Sequence, residues 1–150
     1  MDGVVLYGVG SAVVVDVEES LSRSGLSVAA AVQNVAGEVR LLDLSKLVAP
    51  DGVTDDMKSL AFLVPLFTPA YRQQAAHEAL AAGFARIYSL MDVSVARPRS
   101  LPETSGLYVN SGCILGAACH FDEFVFVNRG ASVGHHARDR KSTRLNSSHS

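Results

Sequence analysis

The chain has 150 residues, a formal charge of −2, two cysteines and 48% apolar side chains. That fits one ordinary domain plus a short second element around a buried core, and it offers no basic footprint for nucleic acid. No uninterrupted apolar run is long enough to span a membrane. The start, Met1-Asp2-Gly3, lacks the basic n-region of a secretory signal, so a cytoplasmic location is expected.

Gly3-Val4-Val5-Leu6-Tyr7 is a short apolar run that reads as a buried strand, followed by the tight turn Gly8-Val9-Gly10-Ser11. Over residues 12–24, Val13, Val17 and Leu21 share one helical face, with Glu18, Glu19 and Arg23 outward and Gly25 as C-cap. Residues 26–32 form a second strand and 33–37 a turn-rich loop. Residues 59–66 are a third apolar run. Thr68 and Pro69 then open a helix as N-cap and first helical residue. It runs to about Ala82, places His77 in solvent, stops at Gly83 and leads into a strand over 84–90. This alternation predicts an α/β fold, a Rossmann-like parallel sheet domain over 1–96. Two prolines and a lack of periodicity mark residues 97–106 as a linker.

Beyond the linker the pattern changes. Val109-Asn110-Ser111-Gly112-Cys113-Ile114-Leu115-Gly116 recurs, position for position, as Val127-Asn128-Arg129-Gly130-Ala131-Ser132-Val133-Gly134. An apolar residue returns every sixth position: Val109, Leu115, Phe121, Val127, Val133. The interval from Val109 to Val127 therefore holds three such units. Three units per repeat predict the first coils of a left-handed parallel β-helix over 107–138, with the recurring side chain pointing into a triangular prism. Gly and Asn follow it because the corner favours φ > 0. Cys113 and Cys119 lie in adjacent units without CxxC or Cys/His ligand spacing. They read as small core residues in a reducing compartment, with neither disulfide nor metal expected. His120 precedes the inward Phe121 and is expected to point outward.

Asp139 stands where the next apolar residue is due, and residues 139–149 match, codon by codon, the translation of a common sequencing-library adapter. Residues 139–150 are therefore expected to be a non-native, disordered tail, with the solenoid cut off after about two coils. Removing Arg140, Lys141 and Arg144 against Asp139 takes two positive charges from −2 and leaves −4 for the body.

Two features carry chemistry. Gly8-Val9-Gly10 sits between a strand and a helix, where backbone N–H groups and the helix dipole attract an anion. The dinucleotide fingerprint GxGxxG fails at Val13, and Gln33-Asn34 replace the acidic residue at the end of the second strand, so a nicotinamide site is disfavoured. The glycines bind phosphate or permit close packing; Gln33 and Asn34 bond a sugar or base or form a turn. His135-His136 follow Gly134 at a solenoid corner, either as surface residues or as a general base matched to neutral pH.

The opening Val4-Val5-Leu6-Tyr7-Gly8-Val9-Gly10, together with the run from Val127 to His136, resembles bacterial sugar acyltransferases of the sialic acid O-acetyltransferase and amino-sugar N-acetyltransferase type. The resemblance covers most of residues 1–138, and its most specific motif is Asn-x-Gly-Ala-x-Val-x-His from Asn128 to His135. It implies a sugar-nucleotide domain joined to a left-handed β-helix, assembly as a homotrimer, and acetyl-CoA along the groove between prisms, contacted mostly by later coils. It also implies that the motif histidine, His135, is the catalytic base. Gly134 stands where the family often has an acidic residue, His136 where another polar residue is usual, and Ser11-Ala12 where a histidine often lies. The base assignment is open between His135 and His136.

The resulting expectation is direct acetyl transfer from acetyl-CoA to a sugar or nucleotide-linked amino sugar, with no metal and no covalent enzyme intermediate. Gly8, Gly10 and Ser11 would lie near the acceptor's phosphates, and Gln33 and Asn34 near its sugar or base. With most of the donor groove in later coils, these coils alone are expected to be inactive. The alternative is a non-catalytic sugar-nucleotide-binding and trimerisation module; a nucleotide-dependent oxidoreductase is weaker because its fingerprint is broken.

Overall fold

A computed structural model describes residues 3–139 and 144–145. The chain divides into two compact units, Met1–Tyr88 and Ser89–Ser150. The first contains β1 (Gly3–Tyr7), α1 (Val14–Arg23), β2 (Ser27–Val32), β3 (Leu47–Val48), α2 (Asp55–Lys58), β4 (Phe62–Leu63) and α3 (Pro69–Ala81). Its four strands are parallel, in the order β3-β2-β1-β4. Val4 to Tyr7 are all buried, as are Ala30, Ala31 and Val32. Such unbroken apolar runs are what a parallel sheet covered on both faces requires. Tyr7 is level with Val32, and Leu6 with Leu63, so these strands end together.

The helices differ from expectation in detail. α1 starts at Val14 because Ser11 Oγ accepts the Val13 N–H at 3.3 Å and closes a turn first. Its buried face is therefore Val14, Val17, Ser20 and Leu21, with Val14 in the place expected for Val13. The C-terminal cap is a Schellman turn: Leu26 N–H donates to Leu21 O at 2.9 Å and Gly25 N–H to Ser22 O at 3.0 Å. α3 begins with Pro69 as expected, but the Thr68 side chain makes no capping bond. Ala75, Ala76 and Ala79 form its buried small-residue face against β1, and His77 is exposed. Of the strand expected over 84–90, one parallel bridge, Phe62 to Ile87, remains in the first unit, and Leu90 belongs to a strand of the second. The bridge's neighbour β4 is only two residues long, and Phe84 is instead a core residue, its ring 6.0 Å from Tyr7 and 5.5 Å from Phe62.

The second unit is a solenoid of two-residue strands: β5 (Leu90–Met91), β6 (Tyr108–Val109), β7 (Ile114–Leu115), β8 (His120–Phe121), β9 (Phe126–Val127), β10 (Ser132–Val133), β11 (Arg138–Asp139) and β12 (Arg144–Leu145). They form three parallel stacks, β5-β6-β9-β12, β7-β10 and β8-β11. Every pair has the same sequence offset, that of Val109 to Val127. This is the left-handed β-helix type anticipated from the repeat. Val109, Leu115, Phe121, Val127 and Val133 all lie in one buried cluster. A second series of period six, unnoticed in the sequence, joins it: Leu107, Cys113, Cys119, Val125 and Ala131. Each side of the prism thus sends two residues inward. Burial pushes the thiols of Cys113 and Cys119 up from their ordinary range, and neither forms a disulfide.

Two boundaries need correction. The segment expected as a linker, 97–106, lies within a first coil that begins at Ser89. Leu90 N–H donates to Leu107 O at 2.8 Å, Asp92 N–H to Val109 O at 3.0 Å and Ala96 N–H to Cys113 O at 2.9 Å. At the far end, the coil register was expected to stop before Asp139. The backbone instead keeps it: Arg138 and Asp139 pair with His120 and Phe121, and Arg144 and Leu145 with Phe126 and Val127. The ladder bonds are made by amides and carbonyls, which do not require an apolar side chain. The remainder of the expected tail, 140–143 and 146–150, lies outside the described residues. Among the described residues no helix is long and apolar enough to cross a membrane.

Corners recur every sixth residue with positive φ: Gly106 (+72°), Gly112 (+73°), Ala118 (+61°), Phe124 (+60°), Gly130 (+68°) and His136 (+59°). A side chain at such a position costs about 1–2 kcal/mol. Just after β5, β6 and β9, Asp92, Asn110 and Asn128 occupy equivalent positions, and their Oδ1 atoms accept the N–H of Ser94, Ser111 and Arg129 at 2.9, 2.7 and 3.0 Å. At Gly106 a Cβ would also lie 2.5 Å from the Phe124 ring. Ala118→Gly is therefore expected to stabilise the solenoid by about 1 kcal/mol and Gly106→Ala to destabilise it by about 2 kcal/mol or more. Urea midpoints of the two variants check both signs.

Candidate functional site

In the first unit the chain reverses its direction of sheet growth between β1 and β4, a switch point at which the loops after neighbouring strands part. A cleft of about 620 Å³ opens there, lined by Gly10 and Ser11 after β1, residues 34–38 after β2, Leu66, Phe67 and Thr68 after β4, and Tyr71 and Gln74 from α3. One wall is backbone and amide, the other apolar and aromatic. That division suits a ligand with a polar part and a flat part.

Arg72 holds one wall in place. Its side chain is buried, and Nη1 donates to the carbonyls of Leu66 and Phe67, both at 3.0 Å. Asn34 is oriented from α3: its Nδ2 donates to Glu78 Oε2 at 3.0 Å. Burial and the nearby Glu78 carboxylate push the Tyr7 hydroxyl up from its usual range. Of the expected substrate residues, Gly10, Ser11 and Asn34 line the cleft together. Gly8 does not; it is buried at φ +93°, where a Cβ would meet Leu66 at 3.0 Å. Gln33 turns away, donating from Nε2 to Gly37 O at 3.3 Å, and so belongs to the turn. Tyr71, Gln74, Leu66 and Phe67 were missed because no motif marks them; the exposure of a large aromatic, 65% for Tyr71, is visible only in three dimensions.

In the second unit, His135 and His136 follow β10 at a corner of the solenoid, and both are exposed. The backbone beneath them is tightly fixed. Gly116 N–H donates to Val133 O at 2.7 Å and His136 N–H to Ala117 O at 2.9 Å. A Cβ on Gly116 would lie 2.5 Å from Gly134 C and from His135 N, so only glycine fits below the pair. The two imidazoles meet through Nδ1 atoms 3.1 Å apart, with ring planes at 88°. His120 is exposed on β8, level with Arg138. A second concavity of this unit, lined by Glu103, Asp122 and Glu123 among others, has the wrong charge for an anionic ligand. Among the described residues no group of three or more His, Cys, Asp or Glu side chains could hold a metal ion.

No protein-family model matches the sequence, and neither does any curated protein. Solved structures do match. The acetyltransferase domain of PglB from Neisseria gonorrhoeae FA1090 superimposes with a TM-score of 0.72 at 18% identity, over 94% of this chain and 69% of that one. A histidine-to-alanine variant of GDP-perosamine N-acetyltransferase from Caulobacter crescentus, in complex with CoA and GDP-perosamine, gives 0.77 at 24%, over 95% and 67%. PerB from Caulobacter crescentus, also with CoA and GDP-perosamine, gives 0.74 at 25%, over 91% and 64%. The chain therefore shares the fold of these proteins across both of its units.

The clamp on the cleft wall gives a direct test. Arg72→Met keeps the bulk but strips the donors from two half-buried carbonyls, and is expected to cost about 2 kcal/mol. Amide exchange at residues 66–68 should rise while that of α1 stays unchanged; equal protection in both proteins would remove the clamp.

Proposed function

We propose that this chain is part of an acetyl-CoA-dependent acetyltransferase whose acceptor is a sugar carried on a nucleotide. The observation that carries the reading is PerB, matched at 25% identity over both units and solved with CoA and GDP-perosamine. The cleft after β1, β2 and β4 supports it on independent grounds. Gly10 and Ser11 offer backbone polarity for phosphate, Asn34 and Gln74 offer amides for sugar hydroxyls, and Tyr71 offers a face for a base.

In this reading His135 is the general base. Its imidazole takes a proton from the acceptor amine or hydroxyl as that atom attacks the thioester carbonyl. A bond from acceptor to acyl carbon forms, the carbon–sulfur bond breaks, and the departing CoA thiolate takes the proton back from His135 to leave as thiol. Acetyl-CoA supplies the acyl group, and a backbone N–H stabilises the developing oxyanion. The assembly is a homotrimer located in the cytoplasm, and the donor is gripped mostly by coils beyond those described. Turnover by these coils alone is expected to be feeble, so binding and transfer are measured separately, the latter with acetyl-CoA in large excess.

Calorimetry with nucleotide-linked amino sugars is expected to give the same Kd for wild type and His135→Ala, while mass spectrometry of the acetylated sugar shows transfer reduced about 10³-fold. Undiminished transfer by His135→Ala would leave a binding and assembly module in place of the enzyme.

A further inference from the structure

Resting on the assignment of His135 as base, we propose that His136 is a positioning residue: its Nδ1 accepts the Nδ1–H of His135 and holds that ring in the tautomer that leaves Nε2 unprotonated. The two Nδ1 atoms are 3.1 Å apart, a hydrogen-bond distance that two neutral rings reach only when one nitrogen carries a hydrogen and the other does not. Either His135 donates or His136 does. If His136 donates, His135 accepts at Nδ1 and its remaining hydrogen sits on Nε2, leaving no lone pair to receive a proton. Only the first arrangement turns a basic nitrogen of His135 outward. Which nitrogen of an imidazole is protonated is set by the bond the other nitrogen makes.

The backbone makes His136 a suitable partner. Its corner conformation, φ +59°, is one the fold fills with glycine at three of the six corners. Its N–H is tied to Ala117 O at 2.9 Å, and Ala137 N–H closes the turn on Gly134 O at 3.2 Å. Gly116 lets the backbone of Gly134 and His135 settle directly on the coil below. Both rings thus rise from a fixed platform. The planes stand 88° apart, so the rings meet through their nitrogens and not by stacking. A neutral imidazole here does the orienting that a carboxylate often does elsewhere, without adding a charge beside the base.

The test is the tautomer itself. The full chain, labelled with ¹⁵N-histidine, is studied by long-range ¹H–¹⁵N correlation at mildly alkaline pH, where imidazoles are neutral. The expected wild-type spectrum has His135 protonated at Nδ1 and bare at Nε2. His136→Ala is expected to shift His135 toward the Nε2–H form. His136→Asn is expected to preserve Nδ1–H, since Oδ1 can accept in place of the ring nitrogen and asparagine tolerates positive φ. Transfer assays should follow: kcat down about tenfold in His136→Ala with KM unchanged, and within about twofold of wild type in His136→Asn. Nε2–H on His135 in the wild type, or a spectrum unaltered by His136→Ala, overturns the proposal at the pair. Nδ1–H on His135 with undiminished transfer by His135→Ala overturns it at the base reading on which it rests.

Discussion

The backbone ladder that joins each coil to the next is the constraint from which the second unit follows. Each amide of one coil must find a carbonyl of the next, so the chain must close a circuit in the interval from Val109 to Val127 and turn a corner at every sixth residue. Turning in so short a length requires positive φ. Three corners meet this with glycine; Ala118, Phe124 and His136 accept the strain of a side chain. At Phe124 the ring covers Gly106 of the coil before, so packing offsets part of the cost. At His136 the side chain meets its neighbour's imidazole, and strain kept at such a place is a common mark of a working residue.

The same ladder fixes the imidazoles. Bonds from Gly116 to Val133 and from His136 to Ala117 hold the strand that carries them, and the bare Cα of Gly116 allows the close approach. In the first unit the comparable device is the parallel sheet. Its strands end level with one another, so the loops after β1, β2 and β4 are gathered at one edge, and Arg72 anchors the last of these by its two carbonyls. Each unit thus builds its polar surface on rigid elements, the arrangement that precise chemistry requires.

The sequence displayed what depended on side-chain period. The series from Val109 to Val133 announced the prism, and Val4 to Tyr7 announced a buried parallel strand. It concealed what depended on backbone alone. The first coil was hidden because Arg97 and Glu103 stand at the sixth positions before Val109, while the ladder bonds of Leu90, Asp92 and Ala96 take no notice of side chains. The same blindness carries the register to Arg138 and Asp139 and to Arg144 and Leu145. Asn34, Gly10 and Ser11, which line the cleft, could be singled out because strand ends and glycine turns have local signatures. Tyr71 and Gln74 reach the cleft from α3, and nothing local marks a helix residue as facing a site.

The register itself is the most direct thing to measure. Methyl-labelled protein should show nuclear Overhauser contacts from Val109 to Val127 and from Leu115 to Val133, each pair one coil apart. Observing both places His135 and His136 on a fixed corner, as the account requires. Their absence, with contacts at any other offset, would contradict the prism and with it the platform on which the two imidazoles meet.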